Sequence, residues 1–239
     1  MKTIDNMTYL QKKKFENGYD AVKERKKKYF EVAQKKVGNV GSVVKILNDY
    51  VHVYDLAFEN MRKDVKDMRD TYKETSQVYI EKYENRIVSF NEVVNDEKKT
   101  AIDKIKMSIG EALTKLNEFM REPITEDARN DIEMIKLLGA DSFSKLEIET
   151  LLEKHQANYL ATKVICKLTK ASDLGITFLS ADDLKKELEN VQNNAIDFCN
   201  QYNGIPSYNF LIMLEGSTVD ALNSNYESFI SNWYDSRKE

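Results

Sequence analysis

The chain has 239 residues, 41% hydrophobic and 32% charged, with only 8 Gly and 2 Pro. The charged share exceeds the usual quarter yet leaves apolar side chains for a core, which suits helices with one apolar stripe and a wide wet face. So few turn residues exclude an all-β or α/β chain of this length, whose tight turns need glycine's positive φ or proline's preset one. Net charge is −4 and uneven. Residues 1–41 carry 11 Lys/Arg against 5 Asp/Glu, residues 42–122 carry 14 against 16, and residues 123–239 carry 11 against 19.

The first expected helix runs from about Thr8 to Lys36, with Phe15, Tyr19, Val22, Tyr29 or Phe30, Ala33 and Val37 at helical spacing. Lys26 stands where an apolar residue was due. The segment ends at Gly38-Asn39-Val40-Gly41, and Ser42 is the expected cap of the next. From Val43 to Met120 the stretch holds no Pro and one Gly, Gly110. Its stripe of apolar or small residues repeats near 3.6, against the 3.5 of a two-stranded coiled coil, so it should pack on other helices rather than in a zipper. Unbroken, it would reach about 120 Å at 1.5 Å per residue. The polar run 95–100 is the expected break, and Thr75-Ser76 is the second choice. Tyr50, Tyr54, Met61, Met68, Tyr72, Tyr79 and Tyr83 lie on the stripe. Tyrosine and methionine suit either a half-buried seam within the chain or a surface that meets another subunit.

Glu122-Pro123 marks a boundary, because proline disfavours a helical residue before it. Short capped helices follow. They open at Thr125, at the capping box Ser144 to Glu147, at Asn158, at Ser180 to Asp183, at Ser207 and at Ser217. Their expected core holds Leu138, Phe143, Leu151, Leu152, Ile165, Leu168, Phe178, Leu184, Phe198, Leu211, Phe229 and Trp233. The expected fold is all-α: a basic N-terminal helix over 1–41, long helices over 42–122 as a hairpin or extended bundle, then a compact acidic multi-helix bundle over 123–239.

No residue set specifies a reaction. HExxH, GxSxG, Walker A and GxGxxG are absent, and His52 and His155 lack metal-ligand spacing. The expectation is a non-enzyme with no catalytic residues, no metal, no cofactor and no small-molecule substrate. Cys166 and Cys199 read as free thiols of a reducing compartment. No apolar run approaches the ~18–20 residues of a membrane span, and the polar N-terminus does not read as a signal peptide. A soluble chain is expected. The electropositive patch Lys12, Lys13, Lys14, Arg25, Lys26, Lys27 and Lys28 offers contact with phosphates, with an anionic membrane surface or with an acidic protein face, or is a solvated surface. The acidic C-terminal region opposes DNA binding as the main activity. The helix–turn–helix outline from Ser144 to Lys170 offers a DNA reader only Lys163, Lys167 and Lys170.

Ile135-Lys136-Leu137-Leu138-Gly139 and Leu151-Leu152-Glu153-Lys154-His155-Gln156-Ala157-Asn158-Tyr159-Leu160-Ala161 resemble a segment of uncharacterised helical proteins from tailed phages and prophages of Gram-positive bacteria. The resemblance covers about residues 134–170. It implies a structural or assembly protein, located in the virion or the host cytoplasm, that acts by helix-mediated contact with a protein partner or itself as a homo-oligomer. The alternatives are a regulatory binder that inhibits a host defence protein, or a nucleic-acid binder led by the basic helix.

Overall fold

A computed structural model describes residues 9–36, 38–176, 180–205 and 207–235, with side chains described from residue 21 onward except Tyr208. The chain is all-α. In order, the helices are α1 (Tyr9–Ala33), α2 (Ser42–Thr71), α3 (Gln77–Met120), α4 (Glu126–Leu138), α5 (Lys145–Lys154), α6 (Tyr159–Thr169), α7 (Ala181–Gln201), α8 (Tyr208–Glu215) and α9 (Ser217–Asp235). Among the described residues no helix is long and apolar enough to cross a membrane.

Two compact units form, and neither is a continuous stretch of chain. Unit 1 takes residues 1–107 and 192–219; unit 2 takes residues 108–191 and 220–239. The three successive segments expected from charge and Pro123 therefore do not coincide with the compact units.

The polar run 95–100 does not break the long segment, because α3 passes through it. Glu97, Lys98 and Lys99 are good helix formers. The Thr100 hydroxyl donates back to the Asp96 carbonyl at 2.9 Å. Val94 and Lys98 are half-buried and Ala101 is buried, so the inward stripe crosses the run unbroken. The break falls at the second choice. Tyr72 turns extended (φ −126°, ψ 147°), and Ser76 Oγ accepts from Tyr79 N at 3.2 Å, capping α3. Ser42 does not cap α2. Its hydroxyl donates to the Asn39 carbonyl at 2.8 Å, and the first turn is closed by backbone bonds such as Val43 N to Val40 O.

Unit 1 packs Val43, Val44, Leu47, Tyr50 and Val51 of α2 inward. Tyr50 Oη donates to the Cys199 carbonyl at 3.2 Å. Buried Asn48 donates to the carbonyls of Val44 (2.8 Å) and Leu214 (3.1 Å), which satisfies its amide between two helices. Gly216 ends α8 at φ +81°, and a Cβ there would lie 2.8 Å from Val44 Cγ2.

In unit 2, Ala128, Ile132, Ile135, Ile148, Leu152, Ala161, Ile165 and Ala171 make one cluster from α4, α5, α6 and the residues after it. Each of these helices starts on a side-chain cap. Thr125 accepts from Ala128 N and Ser144 from Glu147 N, while Asn158 accepts from Ala161 N and donates to the Pro123 carbonyl. Phe119 meets Tyr159, Phe229 and Trp233 edge-on. Of the core expected for one bundle over 123–239, Leu152, Ile165, Leu184 and Trp233 are buried in unit 2 but Phe198 and Leu211 in unit 1, and Phe143, Leu151, Leu168 and Phe229 are half-buried. Leu138 is exposed, because the buried row runs Ala128, Ile132, Ile135 and α4 ends before its next turn closes. Phe178 lies outside the described residues.

Two glycines test this packing. Gly216→Ala should lower stability by about 2 kcal/mol or more, through strain at positive φ and overlap with Val44. Gly110→Ala, in α3 with open space around the new methyl, should raise it by about 0.5–1 kcal/mol. Thermal denaturation of the two variants reads opposite shifts in Tm.

Candidate interaction surfaces

The residue that interrupts the stripe of α1 organises the α1–α2 contact. Lys26 is 6% exposed. Its ammonium donates to both oxygens of Asp55 at 2.9 Å, to Tyr202 Oη at 2.7 Å and to the Gly204 carbonyl at 2.8 Å. Three N–H bonds thus serve four acceptors, with the carboxylate sharing one. Tyr202 Oη lies 3.2 Å from Asp55 Oδ1, to which it donates. Its ring sits under the ammonium at 5.3 Å and touches Tyr50, Tyr54 and Phe198. Gly204 stands at φ +95° with Tyr54 3.2 Å from where a Cβ would be, so the carbonyl reaches Lys26 only because this residue is glycine. Burial pulls the Lys26 pKa down, and Asp55 pulls against it. Burial also pushes the Tyr202 phenol up, with Asp55 adding to it, so that it stays a neutral donor.

Lys26 is one rung of an antiparallel ladder between α1 and α2. Lys23 pairs with Glu59, Lys26 with Asp55, Phe30 stacks on His52 at 4.6 Å, and Gln34 donates to Asp49 at 2.7 Å. Lys26 therefore leaves the expected electropositive patch, since its charge points inward. Arg25, Lys27 and Lys28 are exposed, but Glu24 and Glu31 are exposed among them. The side chains of Lys12, Lys13 and Lys14 lie outside the described residues.

The Tyr/Met stripe has a graded burial. Tyr50 is buried, Tyr54, Met61, Met68 and Tyr72 are half-buried, Tyr79 is buried and Tyr83 is exposed. Tyr54 and Phe58 of α2 meet Phe90 of α3, and Asp64 pairs with Arg86, so the two helices lie antiparallel. Near their turn Tyr79 stacks on Tyr83, and the Lys82 ammonium lies over the Tyr72 ring. Tyr50 and Tyr54 thus serve contacts within the chain.

Unit 2 holds a polar cluster that residue spacing did not reveal. Asp127 and Asp131 lie one turn apart on α4, and Lys154 and His155 end α5. Lys154 Nζ is 3.0 Å from Asp127 and 2.7 Å from Asp131, and His155 Nε2 is 2.7 Å from Asp131. Burial raises the Asp131 pKa, but Lys154 and His155 together outweigh it and leave the carboxyl below its ordinary value. Asp127, Asp131 and His155 each point a ligand atom to one spot, within 4.8 Å of one another, and the Lys154 ammonium already supplies a cation to both carboxylates. Lys163, one of the three lysines a DNA reader would use, bonds Asp182 at 3.0 Å and Tyr159 Oη at 2.5 Å. Cys166 and Cys199 are free thiols, half-buried and buried, and burial pushes Cys199 up to about 12. The shallow cleft between α2 and α3 is lined by Ser42, Lys45, Ile46, Asp49, Glu97, Ala101 and Lys104, with both charge signs present.

Comparisons with protein-family models, with curated proteins and with solved structures find no match.

Asp55→Ala should destabilise unit 1 by about 3–5 kcal/mol, since it strands a buried ammonium. Lys26→Met should cost less, because the carboxylate left behind is a quarter exposed and keeps Tyr202. Urea denaturation of the pair gives the order. A second test uses acid. The lowered Asp131 pKa contributes stability that is full above its unfolded value near 3.8 and is lost as pH falls through the folded value. Asp131→Asn should therefore weaken the protein at neutral pH and approach the unsubstituted chain at pH about 2.

Proposed function

We propose that this chain is a non-enzymatic assembly protein that works by helix-mediated contact with copies of itself or with another protein. The observation that carries this reading is the incomplete cover of the stripe. It is buried at Val43, Leu47 and Tyr50 and again from Ala101 through Phe119. Between them, Tyr79 apart, the stripe is not closed: Met61, Val65, Met68, Ile87 and Phe90 are only half-buried and Tyr83 is exposed. An apolar stripe on a helix asks for a face laid against it, and over this stretch the burial stops halfway. A third surface laid along residues 58–90 would complete the burial, and aromatic and methionine side chains suit such a contact. The single exposed apolar residues nearby, such as Leu56 and Val88, lie off this seam and need no such explanation.

The tailed-phage setting is part of the same proposal. Its support is the resemblance of residues 134–170 to helical proteins of tailed phages, which implies a contact in a virion or its assembly. The basic helix supports nucleic-acid binding less well, because Lys26 is turned inward and Glu24 and Glu31 are interspersed among its described cations.

Light scattering on the purified full chain tests the reading. From micromolar to hundreds of micromolar protein, the expected mass is at least twice that of one chain. A single-chain mass throughout, with no partner protein recovered from purified particles, overturns it.

A further inference from the structure

The α1–α2 contact is built unlike the rest of unit 1. Three of its four rungs are polar, and α2 supplies the acid in each through Asp49, Asp55 and Glu59. From α1, Val22, Tyr29 and Phe30 are half-buried, and the wholly buried Ala33 is small. Exposed polar pairs contribute little each, and burying the Lys26 charge offsets much of what Asp55 returns. The ties of α2 to the late part of the chain do not involve α1: Tyr50 to Cys199, Asn48 to Leu214 and Val44 against Gly216. Withdrawal of α1 leaves those ties standing and breaks only its own, the bonds of Lys26 to Tyr202 and to the Gly204 carbonyl and its packing beside α8, which an incoming α1 makes again. It uncovers an acidic face with His52 and the Tyr202 hydroxyl beside it. That face is complementary in charge and spacing to the order Lys23, Lys26, Phe30, Gln34, which every copy of the chain carries. The turn between the helices holds Gly38, at φ +89°, and Gly41.

We propose that α1 exchanges between copies, the α1 of one chain docking on the acidic face of α2 in a second, with the turn at Gly38 to Gly41 as hinge. The exchanged contact repeats the same four rungs, so what exchange gives up is confined to the turn, chiefly the bonds of Ser42 Oγ to the Asn39 carbonyl and Val43 N to the Val40 carbonyl, and association follows from mass action. This inference rests on the self-association reading and names its joint.

Isotope mixing tests it on the unaltered full chain. Light and fully ¹⁵N-labelled protein are incubated together at high concentration and treated with a zero-length carbodiimide coupler. The Lys23–Glu59 linked peptides are then read by mass spectrometry. Exchange produces mixed light–heavy pairs, rising with protein concentration towards half of all pairs. The Lys163–Asp182 link within unit 2 stays unmixed. Light–light and heavy–heavy pairs alone at Lys23–Glu59 overturn the proposal, as does equal mixing at Lys163–Asp182, which would mark chance collisions. If the light-scattering mass shows oligomers while Lys23–Glu59 stays unmixed, the exchange fails and self-association stands. A single-chain mass removes both.

Discussion

Unit 1 depends on how a charge is accommodated where an apolar side chain was due. An ammonium taken out of water is tolerated only when all its protons find acceptors and its charge finds a counter-ion. Lys26 of α1 meets both conditions by drawing on two distant parts of the chain: Asp55 of α2 and the residues just after α7. Each partner is in turn constrained. Tyr202 is wedged among aromatic rings, and Gly204 must hold a positive φ. The apolar core beside it tolerates rearrangement more easily, since dispersion contacts are non-directional. The ammonium accepts one arrangement, so it sets the register of α1 on α2.

The stripe of the long helices poses the opposite problem. Its period suits ordinary helices, and where neighbours surround it the burial is complete. Along residues 58–90 of α2 and α3 the same pattern is half wet. A sequence stripe states that a surface is apolar; it does not state how many helices will cover it.

That limit explains what could be read in advance. The caps at Thr125, Ser144, Asn158 and Ser180 were legible because each bond spans three residues. The all-α class followed from the rarity of Gly and Pro. Polarity alone misplaced the break: residues 95–100 are polar but include good helix formers, whereas 73–76 hold no apolar residue and Ser76 offers a new start. Lys26 was visible as an anomaly in its stripe, but its partners sit 29, 176 and 178 residues away. Asp131 meets His155 from 24 residues off. Neither pairing leaves a local trace, so the interaction surfaces were the least legible part.

The division of the chain into interleaved units bears on synthesis. Residues 43–51 leave the ribosome long before the residues they pack with. Asn48 meets Leu214, 166 residues later. At about 5–20 residues per second that is a wait of roughly 8–30 s. Throughout it the nascent α2 carries valines, a leucine and a polar amide whose partner has not yet been made. The acidic charges of the same helix, Asp49, Asp55 and Glu59, help keep it dispersed in that interval, and α1, already synthesised, lies along the neighbouring face through its polar ladder.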